Sequence, residues 1–240
     1  MHIFILGGSG RTGQVTIDEC LRRGHTVTAL VRKSTSLIAR SGLTIVEGMN
    51  AEKNYSKLSL TVPGNPLNKP DIEAAFGSAT VKPAIAISTL ASVRATDGLW
   101  APMVSPPRLM ADSAANLVAV IKELNLVDTT KVVILSAAGV GESWSTIPLV
   151  LKAVIHHSNV KLSFDDHNLL ENEIKASGVN YVLAKPTMLS DDGPKPIKHY
   201  GENGKGYGMT SKTSRKSVAW FLLEAAEKND WDRTTPVIAN

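Results

Sequence analysis

An apolar segment, Ile3-Phe4-Ile5-Leu6, runs directly into Gly7-Gly8-Ser9-Gly10-Arg11-Thr12-Gly13, and a helix-patterned stretch, Thr12 to Arg23, follows at once. This junction limits the possible folds more than any other part of the chain. A continuous apolar run reads as a strand buried on both faces, the habit of parallel sheets. Glycines spaced G-x-x-G-x-x-G permit a tight turn at Gly7, a close backbone approach to a pyrophosphate at Gly10, and close packing of helix on strand at Gly13. The helix start offers unpaired N–H groups and a positive dipole end to an anion. Val15, Ile17, Cys20 and Leu21 are the expected inward positions, Gly24-His25 stops the helix, and Thr26 to Val31 supplies a second strand. A glycine triplet at the head of such a βαβ unit points to a dinucleotide.

The end of the second strand then discriminates between dinucleotides. Enzymes that use NAD place an acid there on the ribose 2′-hydroxyl, whereas an arginine suits the 2′-phosphate of NADP. Here Arg32-Lys33 stand in that place, and Arg11 inside the loop offers a further cation. A guanidinium matches phosphate in a bidentate way. The expected cofactor is therefore NADP rather than NAD; the plainer alternative is that Arg32 is a solvated strand-end charge.

At 240 residues and 43% hydrophobic content, one α/β domain spanning residues 1–240 with a sizeable core is expected. The single cysteine, Cys20, allows no internal disulfide framework. The first strand begins at Ile3, which is read as leaving no room for a leader, and no apolar stretch reaches membrane length. A cytoplasmic setting without membrane contact follows as the expectation. The net charge of +4 comes from scattered Lys and Arg, without the stripe that nucleic-acid binding uses, so the expected partner is a small-molecule substrate; oligomeric state is open.

Beyond the first unit, strands and helices alternate, which argues for a doubly wound parallel sheet of Rossmann type. Leu43 to Val46 is a short apolar run, and Leu58 to Val62 reads as another short strand. Helix is expected over Pro70 to Phe76, strand over Ala84 to Ser88, and helix over Arg108 to Leu126. Strand follows at Lys131 to Ser136, helices at Ile147 to His157 and Ser163 to Ser177, and strand at Val179 to Ala184. A helix over Ser214 to Lys228 and a strand near Val237-Ile238 close the chain. The loop Ala91 to Pro107, with Trp100, and the loop-rich region Pro186 to Thr213 are expected to wall a substrate pocket. His156-His157 reads as a surface pair and Asp191-Asp192 as a solvated turn, and no metal site is expected.

The glycine spacing resembles that of short-chain dehydrogenase/reductases of the extended and atypical branches, the NmrA-like relatives included. This resemblance implies cofactor contacts from Gly7, Ser9, Gly10, Arg11, Thr12, Gly13, Arg32 and Lys33, from Ser88, Thr89 and Leu90 after the fourth strand, and from Pro186. It also implies a third strand ending in a Gly-Asp pair. Gly64-Asn65 is the nearest match and makes Asn65 a contact, with Gly48-Met49-Asn50 as the alternative.

Most of that superfamily uses Ser, Tyr and Lys, the last two as Tyr-x-x-x-Lys on one helix face. A phenol donates the proton and a nearby ammonium lowers its pKa. The literal match, Tyr181 to Lys185, lies in an apolar strand run. There, at roughly 3.3 Å per residue, the two side chains stand too far apart to cooperate. Lys185-Pro186 instead resembles the Arg-Pro pair of the family's sixth strand. The frame of Glu171, Ile174 and Ser177-Gly178 places His167 in the lysine slot and Ser163 in the tyrosine slot.

Asp165-Asp166-His167, then a helix, Ser-Gly and a Tyr-Val strand, resembles the NADPH-dependent flavin reductase and biliverdin-IXβ reductase group, which lacks the tyrosine dyad. The resemblance implies a reductase passing hydride to a conjugated or aromatic acceptor. His167, supported by Asp166, would be the acid, and Ser136 would bind a substrate oxygen. Alternatives are a helix-start histidine capped by Asp165, a strand-end serine at Ser136, and, for the whole chain, a redox-silent NADP-binding regulator or a cofactor-independent isomerase or lyase.

Overall fold

The computed structural model describes residues 1–48, 65–79, 81–208 and 210–240. Its main sheet begins with β1 (His2–Leu6), β2 (Thr26–Val31), β3 (Leu43–Glu47) and β4 (Ile85–Ser88). It continues through β5 (Lys131–Leu135), β6 (Tyr181–Pro186), β8 (Lys198–His199) and β10 (Val237–Ala239). The spatial order is β3-β2-β1-β4-β5-β6-β10-β8. All neighbours are parallel except β8, which runs antiparallel to β10 with Ile238 opposite His199. β7 (Met188–Ser190) and β9 (Lys212–Ser214) form a separate parallel pair. Residues 186–213, expected as loop, thus carry three short strands.

Both faces of the sheet are covered, which is why the strands read as unbroken apolar runs. Successive side chains alternate between faces. Ile3 and Ile5 pack with Ile17 and Cys20 of α1 (Arg11–Arg22) and with Val218, Phe221 and Leu222 of α6 (Arg215–Glu227). Phe4 and Leu6 face the other way. They meet Ile72 and Phe76 of α2 (Lys69–Gly77), Leu117 and Ile121 of α3 (Leu109–Glu123), and Leu170 and Ile174 of α5 (Val160–Ala176). Of the expected inward positions on α1, Ile17 and Cys20 are fully buried while Val15 and Leu21 are partly so. Burial pushes the Cys20 thiol up to about 12. His2, the polar exception in β1, is explained by its ring nitrogens meeting Thr26 Oγ1 at 2.8 Å and Thr28 Oγ1 at 3.0 Å.

β3 ends at Glu47, so the segment beginning at Gly48 follows the sheet's third strand. Asn50 and the strand expected over Leu58 to Val62 lie outside the described residues. Asn65 lies in the turn that enters α2: its backbone N–H donates to Asp71 Oδ2 at 3.1 Å, and its Oδ1 accepts from Leu67 N at 3.0 Å. The helices expected over 147–157 and 163–177 are α4 (Leu149–His156) and α5, and α5 starts three residues earlier than expected.

Candidate functional site

The chain leaves β1 toward β2 on one side and returns to β4 on the other. The crevice therefore opens where the carboxyl ends of β1 and β4 diverge, the usual ligand position in such sheets. Gly7 turns there with φ 77°, and a Cβ on it would lie 2.8 Å from Leu90 N and from the Thr89 carbonyl carbon. Thr89 fastens this junction: its N–H donates to Leu6 O at 2.9 Å and its hydroxyl lies 3.2 Å from Leu6 O and 3.1 Å from Gly7 O. Ser88 pairs in register with Leu6 and is buried. A Cβ on Gly13 would collide with the Gly7 carbonyl oxygen, so the helix can sit on the strand only with glycine here. Gly10 is the least crowded of the three, since a Cβ there would meet only Gly7 O, in a tight contact at 3.3 Å.

The start of α1 carries no side-chain cap and no acid in its first turn among the described residues. Its leading N–H groups are therefore available to an anion. Thr12 is buried, and Gln14 Nε2 holds the loop by donating to Ser9 O at 2.9 Å. An open glycine cradle over an uncapped helix start fits the phosphates of a dinucleotide.

Arg32 and Lys33 follow β2 directly, are exposed, and form no ion pair among the described residues. Arg11 does have a partner: its guanidinium lies 3.6 Å from Asp191 Oδ2, while Arg215 Nη1 donates to Asp191 Oδ1 at 2.6 Å. Asp191 is solvated, as read from the sequence, and in addition it joins the glycine loop to the start of α6. Pro186 ends β6 opposite Ile238, and its carbonyl accepts from Ala138 N at 2.9 Å.

The structure brings His167 and Ser136 together across the sheet end, Oγ to Nδ1 at 3.2 Å, both buried. Burial pushes the His167 imidazole down to about 4; Glu171 opposes this and Lys185 adds to it. The ring is thus neutral at pH 7, with one nitrogen donating and one accepting. The support that Asp166 is expected to give a protonated His167 does not occur. The Asp166 carboxylate turns to α3 and accepts from Met110 N and Ala111 N, each at 3.0 Å, and from Ser92 Oγ at 3.3 Å. Asp165 caps nothing either. It lies inside α5 and pairs with Lys161, so His167 is a mid-helix residue held by its burial.

Tyr181 and Lys185 both lie on β6, as the apolar run predicts. Tyr181 packs in the core, and the fully buried Lys185 reaches Glu171 Oε2 at 2.8 Å and Val140 O at 3.2 Å. Burial works to raise the Glu171 pKa, but the ammonium groups of Lys175 and Lys185 win and hold it below the usual carboxylate range. Gly141, with φ 57°, lies so close that a Cβ would sit 2.5 Å from the Glu171 carboxylate oxygens. Gly141 N also donates to Asn168 Oδ1 at 3.0 Å. The loop after β5 is therefore clamped to α5 beside His167. A lone lysine inside an apolar strand run was the available sequence signal for this buried pair.

The segment 91–105 is a hairpin rather than an open loop. Ala95 N donates to Pro102 O, Val104 N donates to Val93 O, and Arg94 bridges Met103. Its tip docks on the α4–α5 junction: Trp100 Nε1 donates to His157 O at 3.0 Å, and Asn159 N donates to Leu99 O at 3.0 Å. Beside that junction is a cavity of about 310 Å³ with Trp144, Phe164 and His156 in its wall. A second cavity, of about 230 Å³, lies at the opposite ends of the strands, near Asn180 and Asp232.

Residues 7–229 match the NAD(P)H-binding family. The chain belongs to this family. Among solved structures, this NAD(P)H-binding chain is similar to ChuY, an anaerobilin reductase from Escherichia coli O157:H7, with 14% identity, TM-score 0.73 and coverage of 100% of this chain and 97% of that one. It is also similar to a short-chain dehydrogenase/reductase from Veillonella parvula in complex with NADP, with 18% identity, TM-score 0.71 and coverage of 100% and 94%. The oxidoreductase YlbE from Lactococcus lactis gives 13% identity, TM-score 0.70 and coverage of 100% and 91%. At these identities the likeness establishes the shared fold. No described helix is long and apolar enough to cross a membrane.

Proposed function

We propose that this chain is an NADPH-dependent reductase that delivers hydride to a conjugated or aromatic small-molecule acceptor without a Tyr–Lys pair. The observation that carries this reading is the buried contact of Ser136 Oγ with His167 Nδ1 at 3.2 Å, on a helix, α5, that contains no tyrosine. The names of the similar reductases fit it, as does NADP in the Veillonella structure. The dinucleotide, when bound, supplies the hydride. The loop from Gly7 to Gly13 and the start of α1 hold its phosphates, Arg32 and Lys33 meet a 2′-phosphate, and Ser88, Thr89, Leu90 and Pro186 line the crevice. Ser136, oriented by His167, donates a hydrogen bond to the acceptor oxygen, and residues 91–107 and 186–213 wall the pocket. Binding and orientation then supply most of the rate.

An NADPH-oxidation screen with flavins, quinones and enones tests the reading, with NADPH expected to outperform NADH. Tight NADPH binding with no turnover across that panel overturns it. The depressed pKa of His167 favours a second reading, a regulator that senses the cofactor without consuming it, because the ring has no extra proton to give at neutral pH. A macromolecular partner bound with only one redox form of the cofactor supports that alternative.

A further inference from the structure

We propose that Lys185 is the positioning residue of the Ser136–His167 pair: its ammonium, fixed by Glu171 and the Val140 carbonyl, holds the loop after β5 and helix α5 in the one register in which serine meets histidine. Its catalytic consequence rests on the reductase reading of the same site.

Two neighbouring contacts join the sheet to α5. Ile134 of β5 and Leu183 of β6 face the side of the sheet that α5 covers. Side chains alternate along a strand, so Ser136 and Lys185, two positions further on, face that side as well. They lie next to each other: Ser136 N donates to Ala184 O at 2.7 Å and Ala138 N donates to Pro186 O at 2.9 Å, which brackets Lys185. On the helix, His167 and Glu171 are one turn apart and share a face. Ser136 therefore reaches His167, while Lys185, one strand over, reaches Glu171 at 2.8 Å. Ser136, His167, Lys185 and Glu171 are all buried.

The second contact governs the first through the loop. Ser136 opens the segment that runs to Gly141. Lys185 Nζ holds the far end by donating to Val140 O at 3.2 Å, and Gly141 N donates to Asn168 Oδ1. His167 Nε2 has no hydrogen-bond partner among the described residues, so the Ser136 contact alone decides which ring nitrogen carries the proton. A shift of the loop against α5 removes that contact and frees the ring. Stability does not account for the ion pair, because an apolar pair of similar volume serves a fold as well or better. What an apolar pair cannot do is aim a hydrogen bond at one carbonyl. Lys185 is fully buried, so it acts only through Ser136 and His167.

The test uses the whole protein with Lys185→Met and Glu171→Leu combined, which leaves no uncompensated charge in the interior. The histidines are labelled with ¹⁵N, and His167 is assigned by its loss in His167→Asn. At neutral pH, wild type is expected to show a single His167 tautomer. The paired variant is expected to show averaged nitrogen shifts, although its urea midpoint stays close to wild type. Gly141→Ala gives a second arm at an exposed position: its Cβ would sit 2.5 Å from the Glu171 oxygens, so the same averaging is expected with both charges retained. A single tautomer in either folded variant, or averaged shifts already in wild type, overturns the proposal. Turnover then separates the two ideas. With NADPH and 1,4-naphthoquinone, kcat of both variants is expected to fall about a hundredfold while KM for NADPH stays unchanged. Full kcat in the paired variant overturns the positioning role and leaves the reductase reading. Averaged tautomers in the variants, without turnover in wild type, keep Lys185 as the positioning residue of the pair and remove the reductase reading.

Discussion

A methyl group at Gly13 has nowhere to go, because the Gly7 carbonyl oxygen already fills its place. Gly13→Ala is expected to cost about 2 kcal/mol through overpacking and to weaken NADPH binding, because the loop must shift to make room. Thermal melting and a cofactor titration check both effects. Arg32, by contrast, is exposed and makes no ion pair among the described residues. Arg32→Ala is expected to weaken NADPH binding by about tenfold while leaving NADH binding and the melting temperature unchanged. His167 sets a pH window. Its folded pKa of about 4 lies below the ordinary value, so its contribution to stability is fully present above about pH 6.5 and is lost as pH falls toward 4. The loss is on the order of 3 kcal/mol. Burial lowers His2 and His199 as well, so the diagnostic is the difference between wild type and His167→Asn in unfolding curves at pH 7.5 and 5.

At the scale of elements, the junction of β6, α5 and the loop after β5 depends on one buried ion pair. Glu171→Gln leaves Lys185 without its counter-charge and is expected to destabilise by about 3 kcal/mol, whereas Glu171→Leu with Lys185→Met recovers most of that loss. Urea denaturation midpoints decide between the two outcomes. The opening strand, glycine loop, α1 and β2 were legible in sequence because local signals there agree: an apolar run, a glycine turn and a glycine stop. The start of α5 was not. Asn159, its N-cap, makes no side-chain cap bond and spends its amide on Trp100 O and Ala101 O of the hairpin. Likewise, Asp166 adjoins His167 in sequence but belongs to α3 in space. Neighbouring positions on a helix point in different directions, and only the packed structure shows what each one meets.

At the scale of the molecule, the alternation of strands and helices fixed the parallel sheet. The antiparallel edge strand β8 and the small β7–β9 pair left no such trace, since strands of two or three residues have no readable period. The two ends of the chain meet where α1 packs on α6. Arg23 joins Glu19 to Glu227, and His25 also reaches Glu227 at 2.7 Å. The cofactor loop is therefore braced by the last helix, and ligand binding is expected to raise the stability of the whole unit by mass action. Cys20 offers a way to watch this. Buried between strand and helices and held as a thiol by its raised pKa, it is expected to resist alkylating reagents in the closed protein and to react when α1 lifts. Its labelling rate is thus a built-in clock for opening of the nucleotide half, and it is expected to slow as NADPH is added.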